Sequence, residues 1–463
     1  MIQEERIRRL GGGTSRRGDY VLYWMQASQR EDTNHALEFA VERANDLNLP
    51  VLVYFGLTPD YPEANLRHYV FMLEGLAEVR KALAERGIGM VVRSGPPDAG
   101  AVRLSRRAAL LVTDRGYVRV ERAWRARVAE RASCPVFQVE TNAVVPVETA
   151  SSKEEYMAAT LRPKIRRLLP KFLVPLKRRA VRRKRANWDI PTISLPEPGH
   201  VPARFPRDRS VEPTRAYAGG TSRAREWLDR FVADDLARYH KERNDVGRDR
   251  GSRLSPYLHF GQVSPLAVAL AAGAVRGPGT AAFLEQLIVR RELSLNFVFY
   301  NAGYDDFSCL PDWCRRTLAE HARDKREASY PLEALEAGRT HDPYWNAAQK
   351  EMVCLGRMHN VLRMYWGKKL LEWHRRPREA FRRALHLNNK YELDGRGPNA
   401  FAGVAWCFGK HDRPWPERPA FGKVRSMTAA GLDRKYDMAR YVRRVDQACA
   451  ALEIRRPKNP ERR

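Results

Sequence analysis

Along the first 140 residues, short runs of β-branched and aromatic residues alternate with stretches of helical period. The runs YVLYW (20–24), VLVYF (51–55), MVVR (90–93), LLVT (110–113) and VFQVE (136–140) read as strands. Between them, Leu37, Ala40, Val41, Ala44 and Leu47 recur at helical spacing, and Leu66–Leu83 behaves in the same way. A strand followed by a covering helix returns parallel to its predecessor, so residues 1–150 are expected to form a doubly wound, Rossmann-like α/β domain. Gly11-Gly12-Gly13 comes before the first of these strands and is therefore no dinucleotide fingerprint; it reads as a mobile arm.

From 151 to 215 the periodicity gives way to proline and basic residues, including PKIRRLLPKFLVPLKRRAVRRKRANW (163–188), and the segment reads as a linker. Its basic run suits either nucleic acid or a helix packed on the first domain through Leu168, Leu169, Phe172 and Leu173. Residues 216–455 are almost wholly of helical period, which predicts an all-α second domain, with 456–463 as a tail. No internal repeat suggests a solenoid. The longest apolar stretch, Leu266–Val275, is too short to cross a bilayer, and the opening MIQEERIRRL has no apolar signal core, so the expected location is cytoplasmic.

Charge adds a partner class. Eighty-three Lys and Arg against 55 Asp and Glu leave +28, an excess suited to phosphate neutralisation, so nucleic acid heads the candidates. A generally arginine-rich composition would give the same sum. Six cysteines (134, 309, 314, 354, 407, 449) show no C-x-x-C spacing, which argues against a zinc ribbon, a disulfide framework or an iron–sulfur cluster.

Familiar catalytic templates are missing. There is no G-x-S-x-G elbow and no H-E-x-x-H helix. Gly403 and Gly409-Lys410 are one residue too far apart for a phosphate loop, and His411 follows where a hydroxyl is needed. Three segments carry chemistry instead. GSRLSPYLHFGQVSP (251–265) gathers glycine and serine ahead of helical sequence, suited to phosphate oxygens, although Ser252 or Ser255 as a plain N-cap explains it equally well. After His341-Asp342-Pro343, the residues Met352, Leu355, His359, Leu362, Trp366, Leu370 and Trp373 form one helical stripe. Trp366 and Trp373 lie about 10.5 Å apart along it, near enough for electron transfer between indoles, though a core stripe has the same pattern. Arg363, one turn before Trp366, needs an anion, and Asp394 is a candidate. Finally, LNNKYELDGRGPNAFAGVAWCFGKHDRPW (387–415) offers Asn amides for a heterocycle and the faces of Trp406 and Trp415 for a base.

Together these segments resemble the photolyase/cryptochrome family, specifically class II cyclobutane pyrimidine dimer (CPD) DNA photolyases. The resemblance is carried by SRLSPYLHFGQVSP, FLEQLIVRRELSLNFVFYN (283–301), THDPYWNAAQKEMVCLGRMHNVLRMYWGKKLLEW (340–373) and LNNKYELDGRGPN followed by HDRPW, and it spans nearly the whole chain. It implies an N-terminal antenna domain, a linker and a C-terminal helical domain holding FAD, active as FADH−. Tyr239, Ser252, Leu254 and Ser255 match positions around the FAD phosphates and ribityl chain; Arg363 and Asp394 match an ion pair beside the flavin; Asn388 matches the residue opposite flavin N5, with Asn399 a second candidate. Excited FADH− donates an electron to a flipped-out dimer and recovers it after ring splitting. Arg290, Met364 and Trp406 match lesion-binding positions; Trp366, Trp345 and Trp373 match the chain that reduces resting flavin, with Tyr330 a side relay. Relatives also carry a second, antenna chromophore of deazaflavin or folate type, and generally act as monomers on UV-damaged DNA.

One position departs from the pattern. Class II sequences commonly read FLEEL, but this chain reads FLEQL, so Gln286 stands where a glutamate contacts the pyrimidine. Glutamine donates a hydrogen bond but supplies no proton, unless Glu285 serves through a shifted register. The rival within the same fold is a cryptochrome-like photoreceptor without efficient repair; the +28 charge and the short run of sequence after Arg444 favour repair. A nucleic-acid binder with purely structural aromatics would be colourless, and a nicotinamide-dependent flavoenzyme would need a G-x-G-x-x-G after a strand.

Overall fold

The computed structural model describes residues 2–14, 17–185, 189–195 and 205–454. The tail expected at 456–463, the end of the basic run at 186–188 and part of the Pro-rich tract at 196–204 lie outside the described residues. The chain divides into two compact units: Met1–Val211 with Ala218–Ala237 and Ser252–Tyr300, and Glu212–Tyr217 with Arg238–Gly251 and Asn301–Arg463.

The first unit is built on a six-stranded sheet, ordered β1 (Ile7–Gly12), β6 (Pro135–Val139), β5 (Ala108–Asp114), β2 (Tyr20–Met25), β3 (Val51–Leu57), β4 (Gly89–Ser94). Strands β2 to β6 pair in parallel, as the alternating pattern predicts, and β1 closes one edge antiparallel to β6. Central β2 and β5 are buried at every position, which is why they read as unbroken apolar runs. Odd-numbered β2 residues Val21, Tyr23 and Met25 face the core under helices His35–Asp46 and Leu66–Glu85; even-numbered Tyr20, Leu22 and Trp24 face the other core, with Leu104 and Val128.

The triple glycine is not a free arm. Gly11 and Gly12 belong to β1, and a Cβ on Gly12 would lie 2.1 Å from the Cys134 carbonyl oxygen, so only glycine lets the backbones approach this closely. Apolar patterning misses this edge strand because its sequence is IRRLGG. The linker region is partly ordered too: Ala158–Phe172 is a helix burying Leu161, Ile165 and Phe172, while Leu168 and Leu169 are only half-buried.

The stretch Pro278–Tyr300 is helical throughout and belongs to the sheet-bearing unit. Glu292 anchors it, accepting from the backbone N–H groups of Val144 at 2.5 Å and Val145 at 3.3 Å. Burial pushes that carboxyl up to about 8, against the pull of Arg291. The second unit is helical, with one isolated bridge between Arg418 and Gly422 among its described residues. No helix among the described residues is long and apolar enough to cross a membrane.

Candidate functional site

The stripe of tryptophans is divided between two helices. Pro343–Leu355 begins at Asp342, whose carboxylate accepts from the N–H groups of Tyr344 and Trp345, with proline in the first turn. It ends at Gly356, where a φ of +71° turns the chain left-handed. His359 then caps Asn360–Trp373 by accepting from the Val361 N–H. The continuous stripe from Met352 to Trp373 expected from spacing is thus broken by one glycine. Because of the break, Trp345 and Trp366 come from separate helices and stack, with centroids 6.2 Å apart and planes 8° from parallel. Trp345 meets Trp373 edge-on at 5.3 Å, and Trp373 meets Tyr330 at 5.0 Å.

These three indoles are at most 1% exposed, and two are fixed in orientation. Trp345 Nε1 donates to the Trp366 carbonyl at 3.0 Å, and Trp366 Nε1 donates to Gln349 Oε1 at 2.9 Å. Gln349 is itself fully buried and was not singled out by the sequence pattern. The order Trp366, Trp345, Trp373, Tyr330 is therefore an unbroken series of adjacent π-systems running from the core to a half-buried phenol.

One turn before Trp366, Arg363 meets two carboxyls. Its Nη2 lies 2.5 Å from Glu392 Oε2 and 3.8 Å from Asp394 Oδ1, so the nearer partner is Glu392 rather than the expected Asp394. The sequence signal for Glu392 is the E-L-D at 392–394 directly after a helix, which offers two carboxylates and does not itself distinguish them. Burial raises Glu392 well above the ordinary carboxyl value despite Arg363, and Asp394 beside it pushes in the same direction. The same environment favours the protonated form of the Glu392 carboxyl. Burial works against the Arg363 charge, yet Glu392 and then Asp394 outweigh it and raise the guanidinium. Nearby, the Asn388 amide nitrogen lies 3.5 Å from Asn389 Oδ1, and Asn389 Oδ1 accepts from the Arg396 N–H. Asn388 Oδ1 and Arg363 Nε are buried with no hydrogen-bond partner, one acceptor and one cationic donor.

Helix Pro398–Cys407 packs against the Trp366 helix at its smallest residue: a Cβ on Gly367 would come within 2.5 Å of Cys407 Sγ. Lys368 reinforces the contact, its Nζ donating to the Cys407 carbonyl at 2.7 Å; burial lowers its ammonium to about 8. Met364 Sδ lies 4.0 Å from Cys407 Sγ, and half-buried Trp406 and Asn399 belong to this same helix. Tyr239 is in a short helix, Tyr239–Glu242; burial raises its phenol and Arg243 opposes the shift.

A loop beyond this helix bears Trp415, with the Arg413 and Arg425 guanidinium carbons 5.4 and 4.9 Å from its ring centre. His321 holds the loop, bonding Asp324 through Nδ1 at 2.6 Å and Glu417 through Nε2 at 2.7 Å. Only the imidazolium donates from both nitrogens, and the hydrogen bond to Glu417, then that to Asp324, raises His321 above its ordinary 6.5. Folding therefore favours the protonated ring: the stabilisation is complete below the ordinary histidine value and is lost as pH rises through the raised one. Proteolysis of the loop is expected to accelerate on the alkaline side of that transition, and His321→Gln should make the cleavage rate independent of pH there.

In the first unit, Leu254 is fully buried and its N–H donates to Ser252 Oγ at 3.5 Å. Leu254, not either serine, is the N-cap of Ser255–His259, and no side chain caps this turn. Glu285, Gln286 and Arg290 lie on a π-helical segment, Glu285–Arg290, that widens the helix by one residue. Glu285 is taken by Arg162, which donates from Nε and Nη2 at 2.8–3.2 Å, with Arg290 Nε 3.7 Å away. Gln286 is half-buried beside it. Arg162, in the segment read as linker, escaped notice because nothing local pairs it with residue 285.

Comparison with known proteins bears on these positions. Residues 21–181 match the family model for DNA photolyase. The chain is 51% identical over 446 residues to the deoxyribodipyrimidine photo-lyase of Methanothermobacter thermautotrophicus, covering 96% of this chain and 99% of that protein. It is 38% identical to the deoxyribodipyrimidine photo-lyase of Arabidopsis thaliana, over 98% and 95% of the two chains. In fold it resembles the photolyase of Sulfolobus tokodaii crystallised with two FAD molecules, with a TM-score of 0.69 over 95% of each chain at 14% identity.

Proposed function

Because the chain belongs to the DNA photolyase family, we propose that it is a light-driven repair enzyme for UV-damaged DNA, a class II deoxyribodipyrimidine photo-lyase that splits cyclobutane pyrimidine dimers with FAD, active as FADH−. The observation that carries this reading is the buried series Trp366, Trp345, Trp373 beginning one helical turn from Arg363 and its two carboxyls. An ordinary core needs neither a parallel indole pair continued edge-on by a third indole nor a buried cation with an idle N–H.

The donor set fits a flavin. Its ring presents carbonyl acceptors and, when reduced, an N–H donor; Arg363 Nε and Asn388 Oδ1 are the complementary groups. Arg363, Asp394, Asn388 and Asn399 would hold the ring, and Tyr239, Ser252, Leu254 and Ser255 the phosphates and ribityl chain. Bound FAD supplies the photoexcited electron. The Arg363 cation favours an anionic ring in a dry environment. The indoles pass electrons inward to restore the active redox state. An antenna chromophore, of deazaflavin or folate type, would add light capture.

The +28 charge favours the DNA backbone, and a dimer already poorly stacked is the cheaper base pair to extrude. Trp406 and Met364 offer a flat face and a polarizable one to the flipped dimer; stacking on Trp406 is worth roughly 1–3 kcal/mol per base. Gln286 and Arg290 donate to its carbonyls. With Glu285 engaged by Arg162, the amide of Gln286 is the group left to do so. Gln286→Glu should keep dimer splitting and change its yield by no more than about tenfold, the scale of one charge-assisted hydrogen bond. Complete loss of splitting in that variant would remove Gln286 from the lesion site.

The decisive experiment is blue-light repair of an oligonucleotide bearing a cyclobutane dimer, with a dark control and a six–four photoproduct alongside. Repair of the cyclobutane lesion in light alone is expected. Photoreducible flavin without repair would instead identify a cryptochrome-like receptor, and a colourless protein that accepts no flavin would overturn both. The protein is expected to act as a monomer.

A further inference from the structure

The aromatic series ends at the surface on a tyrosine–histidine pair. The Tyr330 hydroxyl is hydrogen-bonded to Nδ1 of exposed His341, donating to it when the ring proton is on Nε2, and the His341 backbone N–H donates to the same hydroxyl oxygen at 3.1 Å. The two rings stack with centroids 6.0 Å apart and planes 23° from parallel, and the imidazole is 5.7 Å from Trp373. Resting on the electron-relay reading above, we propose that His341 is the base that takes the phenolic proton when Tyr330 gives an electron to oxidised Trp373.

The step balances as follows. Bound flavin, when illuminated, would supply the oxidising equivalent; on this chain's side one electron leaves Trp366 and the vacancy passes through Trp345 to Trp373. Tyr330 then loses one electron to the Trp373 radical cation while its O–H bond breaks and the proton moves to Nδ1. The products are neutral Trp373, a neutral tyrosyl radical and an imidazolium. Removing an electron from a phenol makes its proton strongly acidic, so transfer is favourable only where a base already touches the hydroxyl. Nδ1 does, and the backbone N–H of the same residue remains to stabilise the oxygen afterwards.

Position explains why this end of the series suits proton transfer. Trp345, Trp366 and Trp373 are buried, and a proton released among them would have to be carried out of the core. His341 is exposed, so water solvates the new imidazolium directly. Facing Tyr330 from helix Pro377–Tyr391 is Arg383, which donates to the Tyr330 carbonyl at 2.9 Å and is balanced by Glu379 at 2.6 Å. Asp342, adjacent in sequence, is occupied in capping the following helix and accepting from Tyr365. Once the proton has left Tyr330, refilling the phenol requires its return, which would lengthen the life of the separated charge.

The test is flash spectroscopy on flavin-containing protein, following tryptophan and tyrosyl radical absorption in wild type, His341→Ala and Tyr330→Phe. In wild type the tryptophan radical should decay into a tyrosyl radical, more slowly in heavy water. In both variants the tryptophan radical should persist at least ~10-fold longer, below the 10²–10⁴ typical of a general base because water is a weak substitute. Added imidazole should restore fast decay in His341→Ala and not in Tyr330→Phe, while both variants keep the wild-type melting temperature. Formation of tyrosyl radical at the wild-type rate in His341→Ala, or failure of imidazole to rescue it, would overturn the assignment and leave the relay standing. If wild type forms no tryptophan radical, the relay itself is wrong and the His341 role falls with it.

Discussion

Trp366→Phe is expected to slow light-driven reduction of oxidised flavin more than ~100-fold, since a phenyl ring is much harder to oxidise than an indole and about 3 kcal/mol of added barrier already gives that factor. Repair by chemically pre-reduced enzyme should change less than about twofold, because the indole series refills the cofactor and takes no part in splitting the dimer. The substitution also leaves buried Gln349 Oε1 without its indole donor, an effect of about 1–3 kcal/mol on stability. Trp345→Phe separates the two effects: it interrupts the same series one ring further out, and the bond it loses ends on the Trp366 carbonyl. Both variants should therefore lose photoreduction with different changes in melting temperature. Photoreduction at the wild-type rate in either would show that electrons reach the cofactor by another route, and equal loss of repair and photoreduction would show that the stack acts only as core.

How far the sequence anticipates this arrangement depends on whether contacts are local. Strands β2, β3 and β5 are legible because each is a buried, nearly continuous apolar run whose identity depends on its own residues, and β4 and β6 because each carries a short β-branched run. Strand β1 is not, since IRRLGG pairs by backbone geometry and the absence of Cβ atoms at Gly11 and Gly12. Spacing placed Trp366 and Trp373 on one face, yet the ring between them, Trp345, arrives from another helix through the turn at Gly356, and the 8° stacking is a tertiary fact. Arg363 could be read as needing a counter-charge because cations are rarely buried alone; which of two carboxyls comes nearer depends on the fold of the turn after Tyr391. The Arg162–Glu285 and Tyr330–His341 pairs join residues distant in sequence or separated by a helix, and no periodicity marks them.

Substitutions within the Arg363 cluster should separate charge balance from shape. Arg363→Leu leaves two carboxyls in a buried position with no cation, and breaking a buried pair in this way typically costs about 3–5 kcal/mol, so loss of bound flavin and a large fall in melting temperature are expected. The two carboxyls should respond unequally. Glu392 is completely buried and its carboxyl is raised well above its ordinary value, which favours the protonated form, and Glu392→Gln keeps the shape of that form. That variant should retain flavin and lose less than about 1 kcal/mol. Asp394, 3.8 Å from the guanidinium, is the second carboxyl facing Arg363, and Asp394→Asn should behave more like Arg363→Leu. The pH dependence follows from the same proton: folding takes one up at Glu392, so its contribution is complete below the ordinary glutamate value and declines as pH rises through the raised one. Glu392→Gln, which cannot ionise, should abolish that alkaline decline in thermal denaturation. A large loss of flavin in Glu392→Gln together with a silent Asp394→Asn would mean the proton resides on the aspartate, reversing which carboxyl holds the cation.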